Sequence, residues 1–352
     1  MKRLFALIMV LVMAFSLVAC GGTAEAPATQ APAAEAPATE APVAEVAADP
    51  VVLRICLSET QNDIKAEVVN KCVANIEKAT EGRVKFEVYY SDALGSIGEV
   101  IEQMSMGGNI VGSTSGEQWA AYGCADMTAL NLMYVFPSAD AIQSFNQSEL
   151  WEQMKQQSAD NGITMFCMNW ACAPRVVHSV KPINSVEDLE NLLIRVPSAP
   201  YGAFFEALGC ATTSMPFGDI YAGMQTGVVE ACEAPLSTLY NYSIQEVAPY
   251  IFMSEHSFAS GCWGTSTAIW NLISEADQKI IVDEFTRGGE EFTKVSAETN
   301  GDFIKKMEEA GVTIVYPSDL DKTAMSNASA KSFESFPELS DGLLEKIQAT
   351  FG

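Results

Sequence analysis

The chain has 352 residues, with 45 Asp and Glu against 20 Lys and Arg, and a formal net charge of −25. So acidic a balance leaves no basic face for nucleic acid and argues against gathering anions by a long-range field. Nine cysteines and two histidines occur without a C-x-x-C pair, which excludes the usual zinc spacings, and no nucleophile elbow, phosphate loop or zinc helix is present.

Residues 1–19 have a Lys2-Arg3 head, an apolar stretch from Leu4 to Val18 and small residues before Cys20, the layout of a secretory signal peptide. The apolar run is too short to span a membrane comfortably. The Leu17-Val18-Ala19-Cys20 ending resembles a bacterial lipobox. That resemblance implies cleavage before Cys20, lipid on its sulfur, and a mature protein anchored to the membrane on the extracytoplasmic side. Residues 20–50 are mostly Gly, Thr, Ala, Glu and Pro, a composition that buries too little apolar surface to offset its ordering entropy. They read as a disordered linker, kept extended by proline. About 300 residues follow, enough for two cores.

The body opens on a strand, Val51 to Ser58. Asp63 to Thr80 reads as a helix with Ile64, Val68, Cys72 and Ile76 on one face, stopped by Gly82. A strand over Val84–Tyr90, a helix over Ser96–Met106, a helix over Asp140–Ala159 and a strand over Ile163–Cys167 continue an alternation that points to α/β architecture. From Arg175 the grammar repeats. Ser185 followed by Asp188 reads as a helix start, and Leu192–Val196 as a buried strand. Helices over Tyr201–Leu208 and Phe217–Thr226 and a strand over Val228–Cys232 come next. From Ser274 to Ala310 runs a long helical pattern, capped by Ser274 with Asp277 and interrupted at Gly288-Gly289. Val312–Tyr316 reads as a late strand, and the rest as an acidic helical tail.

The expected fold is therefore α/β, with two domains, a ligand cleft between them and a long helix spanning both. Domain I is assigned to 50–172 plus 260–299, domain II to 173–259 plus 300–330, and a C-terminal helical tail to 331–352. The eight body cysteines fall mostly in apolar strands and helices, where they read as small buried hydrophobes with free thiols. No metal, cofactor or enzymatic constellation is expected.

The cations single out one stretch. Between Phe86 and Gln278 the only Lys or Arg residues are Lys155, Arg175, Lys181 and Arg195. Arg195 sits inside the apolar run Leu192-Leu193-Ile194-Arg195-Val196, closed by Pro197. A buried guanidinium needs a partner, and its planar fork matches a carboxylate of the protein or of a ligand.

The order of fragments resembles the DctP-type solute-binding proteins of TRAP transporters. They are the opening strand, E-G-R-V-K-F-E-V-Y-Y-S-D-A-L-G at 81–95, R-V-V-H-S-V-K-P-I-N-S-V-E-D-L-E-N-L-L-I-R-V-P at 175–197, and M-P-F-G-D-I-Y-A-G-M-Q-T-G-V-V-E-A-C-E-A-P at 215–235. The resemblance implies a periplasmic-binding-protein-like fold that closes on a small organic acid and delivers it to membrane permease subunits. It assigns Arg195 to the ligand carboxylate and Arg175 to the same anion, unless Arg175 is tied to a domain carboxylate such as Glu233. It places Phe217 on the cleft wall, Ser58 at the cleft end of the first strand, and His256 near the ligand. Where the family commonly reads D-G-x-E-N-P, this chain has Glu230-Ala231-Cys232-Glu233-Ala234-Pro235, so Ala234 stands in place of a polar ligand contact. Asn191 replaces a usual glycine and still tolerates a left-handed turn. Trp170, Tyr201 and Trp263 lie near the expected cleft segments. A second reading of the same fold is a ligand-sensing module reporting to a signalling partner.

Overall fold

The computed structural model describes residues 49–351. The signal peptide, Cys20 and nearly all of the linker lie outside the described residues. In chain order the first elements are β1 (Val51–Cys56), α1 (Ile64–Ala79), β2 (Val84–Tyr89), α2 (Ile97–Ser105), β3 (Ile110–Thr114), α3 (Gly116–Ala120), α4 (Ala139–Asn146), α5 (Glu149–Asp160) and β4 (Ile163–Ala171). A second set comprises β5 (Arg175–Ser179), β6 (Leu193–Val196), α6 (Ala199–Ala207), β7 (Ala211–Ser214), α7 (Ile220–Thr226), β8 (Ala231–Pro235), α8 (Leu236–Asn241) and β9 (Tyr250–Ser257). The chain ends with β10 (Ser260–Ser266), α9 (Thr267–Trp270), α10 (Glu275–Glu309), β11 (Thr313–Val315), α11 (Asp319–Ser332) and α12 (Leu343–Gln348).

These strands form two sheets, β2-β1-β3-β10-β4 and β11-β9-β5-β8-β6-β7. In the first, β1 pairs in parallel with β2 and β3, as strand–helix–strand units do, whereas β10 inserts antiparallel to both β3 and β4. In the second, β6 is parallel to β7 and β8, and β5 is antiparallel to β8 and β9. The result is a two-domain α/β fold. The chain passes between the sheets at 172–174 and again at 258–259, and the two passages touch: Cys172 N–H donates to Ala259 O at 2.9 Å.

The long helix α10 ties the two halves together. Its 35 residues extend about 52 Å at the usual helical rise. Its first half contributes Ile281, Phe285 and Phe292 to the core under the first sheet, with Leu53, Cys72, Trp170 and Trp263. Its far end contributes Met307, Phe303 and Ile304 to a core under the second sheet, with Val176, Cys232 and Ala234. Ser274 caps it by accepting from Asp277 N–H at 3.2 Å. The helix runs unbroken through Gly288-Gly289, contrary to the expected interruption. The glycines serve close packing: a Cβ on Gly288 would meet Cys72 Sγ at 2.4 Å and Trp170 at 2.9 Å, and one on Gly289 would meet Asn169 Oδ1 at 2.4 Å. Beyond α10 the chain packs α11 on α6, then returns to the first domain, where Leu343 and Ile347 join Phe145 and Trp151 in its second core.

Other elements differ from expectation for local reasons. The helix expected over 140–159 is two helices, because Ser148 starts a new one by accepting from Trp151 N–H at 3.1 Å. The helix expected at Ser185 is only a single 3-10 turn over Val186–Leu189. Its Asp188 accepts from Asn184 N–H at 2.7 Å instead of capping with Ser185, and Asn191 with φ +61° turns the chain away. The strand expected over 228–232 forms three residues later, as β8. All eight cysteines of the described residues are free, and seven are buried. No helix among the described residues is long and apolar enough to cross a membrane.

Candidate functional site

The site grows from the centre of the second sheet. β5 lies between β8 and β9, which brings Arg175, Glu233 and His256 together. Arg175 donates from Nε to Glu233 Oε2 at 2.5 Å and from Nη2 to Oε1 at 2.7 Å, with a further bond from Nη2 to Glu233 O at 3.0 Å. His256 Nε2 stands 3.1 Å from the same Oε2, and His256 Nδ1 is 2.8 Å from Ser254 Oγ. Glu233 and His256 are fully buried. Burial alone would raise the Glu233 pKa, but the Arg175 charge and hydrogen bonds outweigh it and hold the carboxyl below its ordinary value. Burial opposes the Arg175 charge too, and Glu233 reverses that and raises its pKa. Burial keeps His256 below its ordinary value despite Glu233. Arg175 also lies 5.0 Å from the Tyr201 ring centre, and Phe204, Phe205 and Tyr201 enclose His256.

Arg195, on β6, is differently placed. Parallel register sets it level with Cys232, and so on the opposite face of the sheet from Glu233. It is only 6% exposed. Its Nε donates to Met215 O at 2.9 Å, and its guanidinium lies 5.4 Å from the Phe217 ring centre. Its Nη1 is buried with no hydrogen-bond partner. Burial lowers its pKa, Glu233 works against that, and the like charge of Arg175 adds to it. Unlike Arg175, Arg195 pairs with no carboxylate among the described residues.

The first domain supplies the facing groups. Lys65 pairs with Glu59 at 2.9 Å and lies 5.8 Å from the Trp263 ring centre. Glu117, at the start of α3, accepts from Ser115 Oγ through Oε1 at 2.8 Å, while its Oε2 is buried without a partner. Ser198 of the second domain faces it without closing a hydrogen bond, and Arg175 is near enough to act on its charge. Burial raises the Glu117 pKa above its ordinary value.

The expected residues thus separate. Arg175, Glu233, His256 and Tyr201 form one network, and Arg195 with Phe217 stands beside it. Ser58 is exposed and donates to Asp92 Oδ1 at 2.6 Å, lining a separate small cavity with Ser113, Thr114 and Trp119. Ala234 packs with Val176 and Leu236 in the core, since β alternation turns it to the face opposite Glu233. Trp170 is a correction: its ring lies in the first-domain core against Trp263 and Phe292, and its indole N–H is engaged by Phe285 O at 2.8 Å. Glu117 carried no sequence signal, being one acid among 45. Its place just beyond the end of β3 was its only hint.

Two α/β domains joined by a long helix, with a buried Arg195 and a partly buried Arg175 in the second sheet, have the layout of a two-domain solute-binding fold. The chain belongs to the DctP family, bacterial extracellular solute-binding protein family 7, whose sequence profile matches residues 57–338. Its relatives include a solute-binding protein of Roseobacter denitrificans, 27% identical over 67% of this chain and 72% of the relative. The sialic acid-binding periplasmic protein SiaP of Vibrio cholerae is 24% identical over 69% of this chain and 75% of its own. Among solved structures, a TRAP periplasmic solute-binding protein from Ochrobacterium anthropi with bound L-fuconate is similar at a TM-score of 0.76 and 26% identity. That match covers 86% of this chain and 100% of the other.

Proposed function

We propose that this protein captures a small organic acid by its carboxylate, with Arg195 as the anchor, and delivers it to the membrane permease subunits of a TRAP transporter. The observation that carries this reading is the unpartnered Arg195 Nη1, buried beside Phe217 in a guanidinium that makes no ion pair among the described residues. A buried cation in that state is costly until an anion fills the site, so the cost favours acid binding. Arg175 orients the acid through Nη1, the nitrogen that Glu233 leaves free, and Glu233 with His256 fixes the direction of that guanidinium. Phe217 walls the cleft beneath the Arg195 fork. The sialic acid-binding relative and the structure holding L-fuconate, both similar to this chain, have ligands that carry a carboxylate, which supports that part of the reading.

Closure joins a body of 50–172 with 260–299 to one of 173–259 with 300–330, pivoting at 172–174 and 258–259. The ligand stabilises the closed form because it touches both bodies. Cys20 anchors the receptor by lipid, and the linker to residue 50 holds it off the membrane. Calorimetry on acids and their amides tests the reading. The acid is expected to bind far more tightly, and equal binding of an acid and its amide overturns it.

A further inference from the structure

The charges gathered where the domains face each other do not all cancel within the protein. Lys65 is paired with Glu59, and Arg175 with Glu233. Asp63, close to Lys65, caps α1 by accepting from Lys65 N–H. Two groups are left over. One is the Arg195 guanidinium, with Nη1 buried and unpartnered; the other is the Glu117 carboxylate, with Oε2 buried and unpartnered. The first belongs to the second domain and the second to the first domain. One surplus cation and one surplus anion, each with an orphaned polar atom, are the complement of a molecule carrying one carboxylate and one cationic nitrogen.

A simple monoanion satisfies only half of this arrangement. It neutralises Arg195 and leaves the Glu117 carboxylate of the facing domain buried without a counter-ion of its own. An ammonium supplies the missing donor to Oε2, in a charge-assisted hydrogen bond of the strong kind. Oε1 is already held by Ser115, so the carboxylate is oriented before the ligand arrives. Burial raises the Glu117 pKa, and the nearby Arg175 charge, already engaged by Glu233, does not bring it back.

We infer that the acid taken in this cleft also carries an ammonium group, held by Glu117 of the first domain while Arg195 of the second holds the carboxylate. The ligand class is then a small zwitterion of the amino-acid type rather than a hydroxy or keto acid. This rests on the carboxylate reading above and narrows it. It also gives closure a physical cause, because opposite ends of one molecule are gripped from opposite domains.

The test uses the purified protein and matched pairs: L-alanine with L-lactate, L-leucine with 2-hydroxy-4-methylpentanoate, L-phenylalanine with phenyllactate, and 4-aminobutyrate with 4-hydroxybutyrate. Thermal shift screens the set, and calorimetry measures the binders. At least one amino member is expected to bind about tenfold or more tighter than its hydroxy partner, the scale of one charged hydrogen bond. Glu117→Gln is expected to remove that preference by weakening the amino member about tenfold while changing the hydroxy partner by less than about threefold. Ligand-free Glu117→Gln is expected to melt no lower than wild type, since a buried unpaired charge is removed. Hydroxy acids that bind as tightly as their amino partners overturn the inference and leave the carboxylate reading standing. A set in which no amino member binds also overturns it, as does a preference that survives Glu117→Gln. Leucinamide binding as tightly as leucine instead overturns the carboxylate reading itself.

Discussion

Arg175 and Glu233 close a two-pronged ion pair, Nε to Oε2 at 2.5 Å and Nη2 to Oε1 at 2.7 Å, across adjacent strands of the second sheet. Such a pair is a framework part before it is a ligand contact. Removing one member leaves the other charge buried, at a cost of about 3–5 kcal/mol. Arg175→Ala is therefore expected to lower unfolding stability by that amount in a denaturant titration, with or without ligand. Replacing both residues together by Met and Leu is expected to recover most of the loss. A single Arg175→Ala variant as stable as wild type would show that the pair contributes little to the fold.

His178 gives a second expectation. It is fully buried on β5, and burial pushes its pKa down to about 4 from an ordinary value near 6.5. The native ring is therefore neutral, and the unfolded chain binds the extra proton first. The contribution is fully present above about pH 6.5, falls as pH drops, and is gone once pH passes below about 4. It is worth about 3 kcal/mol across that window at 1.36 kcal/mol per pKa shift of one. Other groups drive stability the same way: His256 is lowered by burial, and Glu233 by Arg175. The measurement is thus a difference: wild type and His178→Leu are compared at pH 7 and pH 4.5, and the wild type is expected to lose more stability. Parallel losses in the two proteins exclude His178 as a source.

Much of the fold was legible because its signals are local. Asp63 and Ser274 announce helix starts and cap them, and Arg195 stands out because it is a charge in an apolar strand. The remainder depended on packing that single residues do not announce. Gly288-Gly289 reads as a helix break by propensity, yet close approach to β4 is its reason. Trp170 lies near the cleft segments in sequence, and only its packing and the Phe285 carbonyl assign it to the core. Glu233 was nameable as a partner for Arg175, but Glu117 emerged only when the chain placed α3 against Ser198 of the other domain.

The glycine pair is testable by adding a methyl group. Gly289→Ala brings a Cβ to 2.4 Å from Asn169 Oδ1, and moving that buried side chain away breaks its bonds to Gln143 Oε1 and Thr286 O. Overpacking of this kind costs about 1–3 kcal/mol, more than the gain of up to about 1 kcal/mol from replacing glycine in a helix. The variant is expected to melt below wild type. Gly301→Ala lies on the same helix with nothing within 4 Å of the added atom, so it is expected to melt slightly above wild type. Equal stabilisation of both variants rejects the packing explanation.

Arg195 and Phe217 bear most directly on function. Arg195 is buried, engages Met215 O through Nε and keeps Nη1 unpartnered over the Phe217 ring. If the ligand's carboxylate fills that vacant edge, Arg195→Ala removes a charge-assisted bond and leaves the acid desolvated, at about 2–5 kcal/mol of binding. The same substitution is expected to leave the free protein about as stable as wild type or more so, since an uncompensated buried cation is removed. This separates Arg195 from Arg175, whose loss damages the fold. Arg195→Lys keeps the charge but not the planar fork, so it is expected to bind poorly as well. Phe217→Leu keeps an apolar wall but loses the ring face, and is expected to weaken binding by about 0.5–2 kcal/mol through the cation–π contact. Calorimetry on the variants, with whichever acid the wild type binds, reads all three effects. An Arg195→Ala protein that is folded and binds within about threefold of wild type, well under the 1.4 kcal/mol of a tenfold change, means that the acid is held elsewhere.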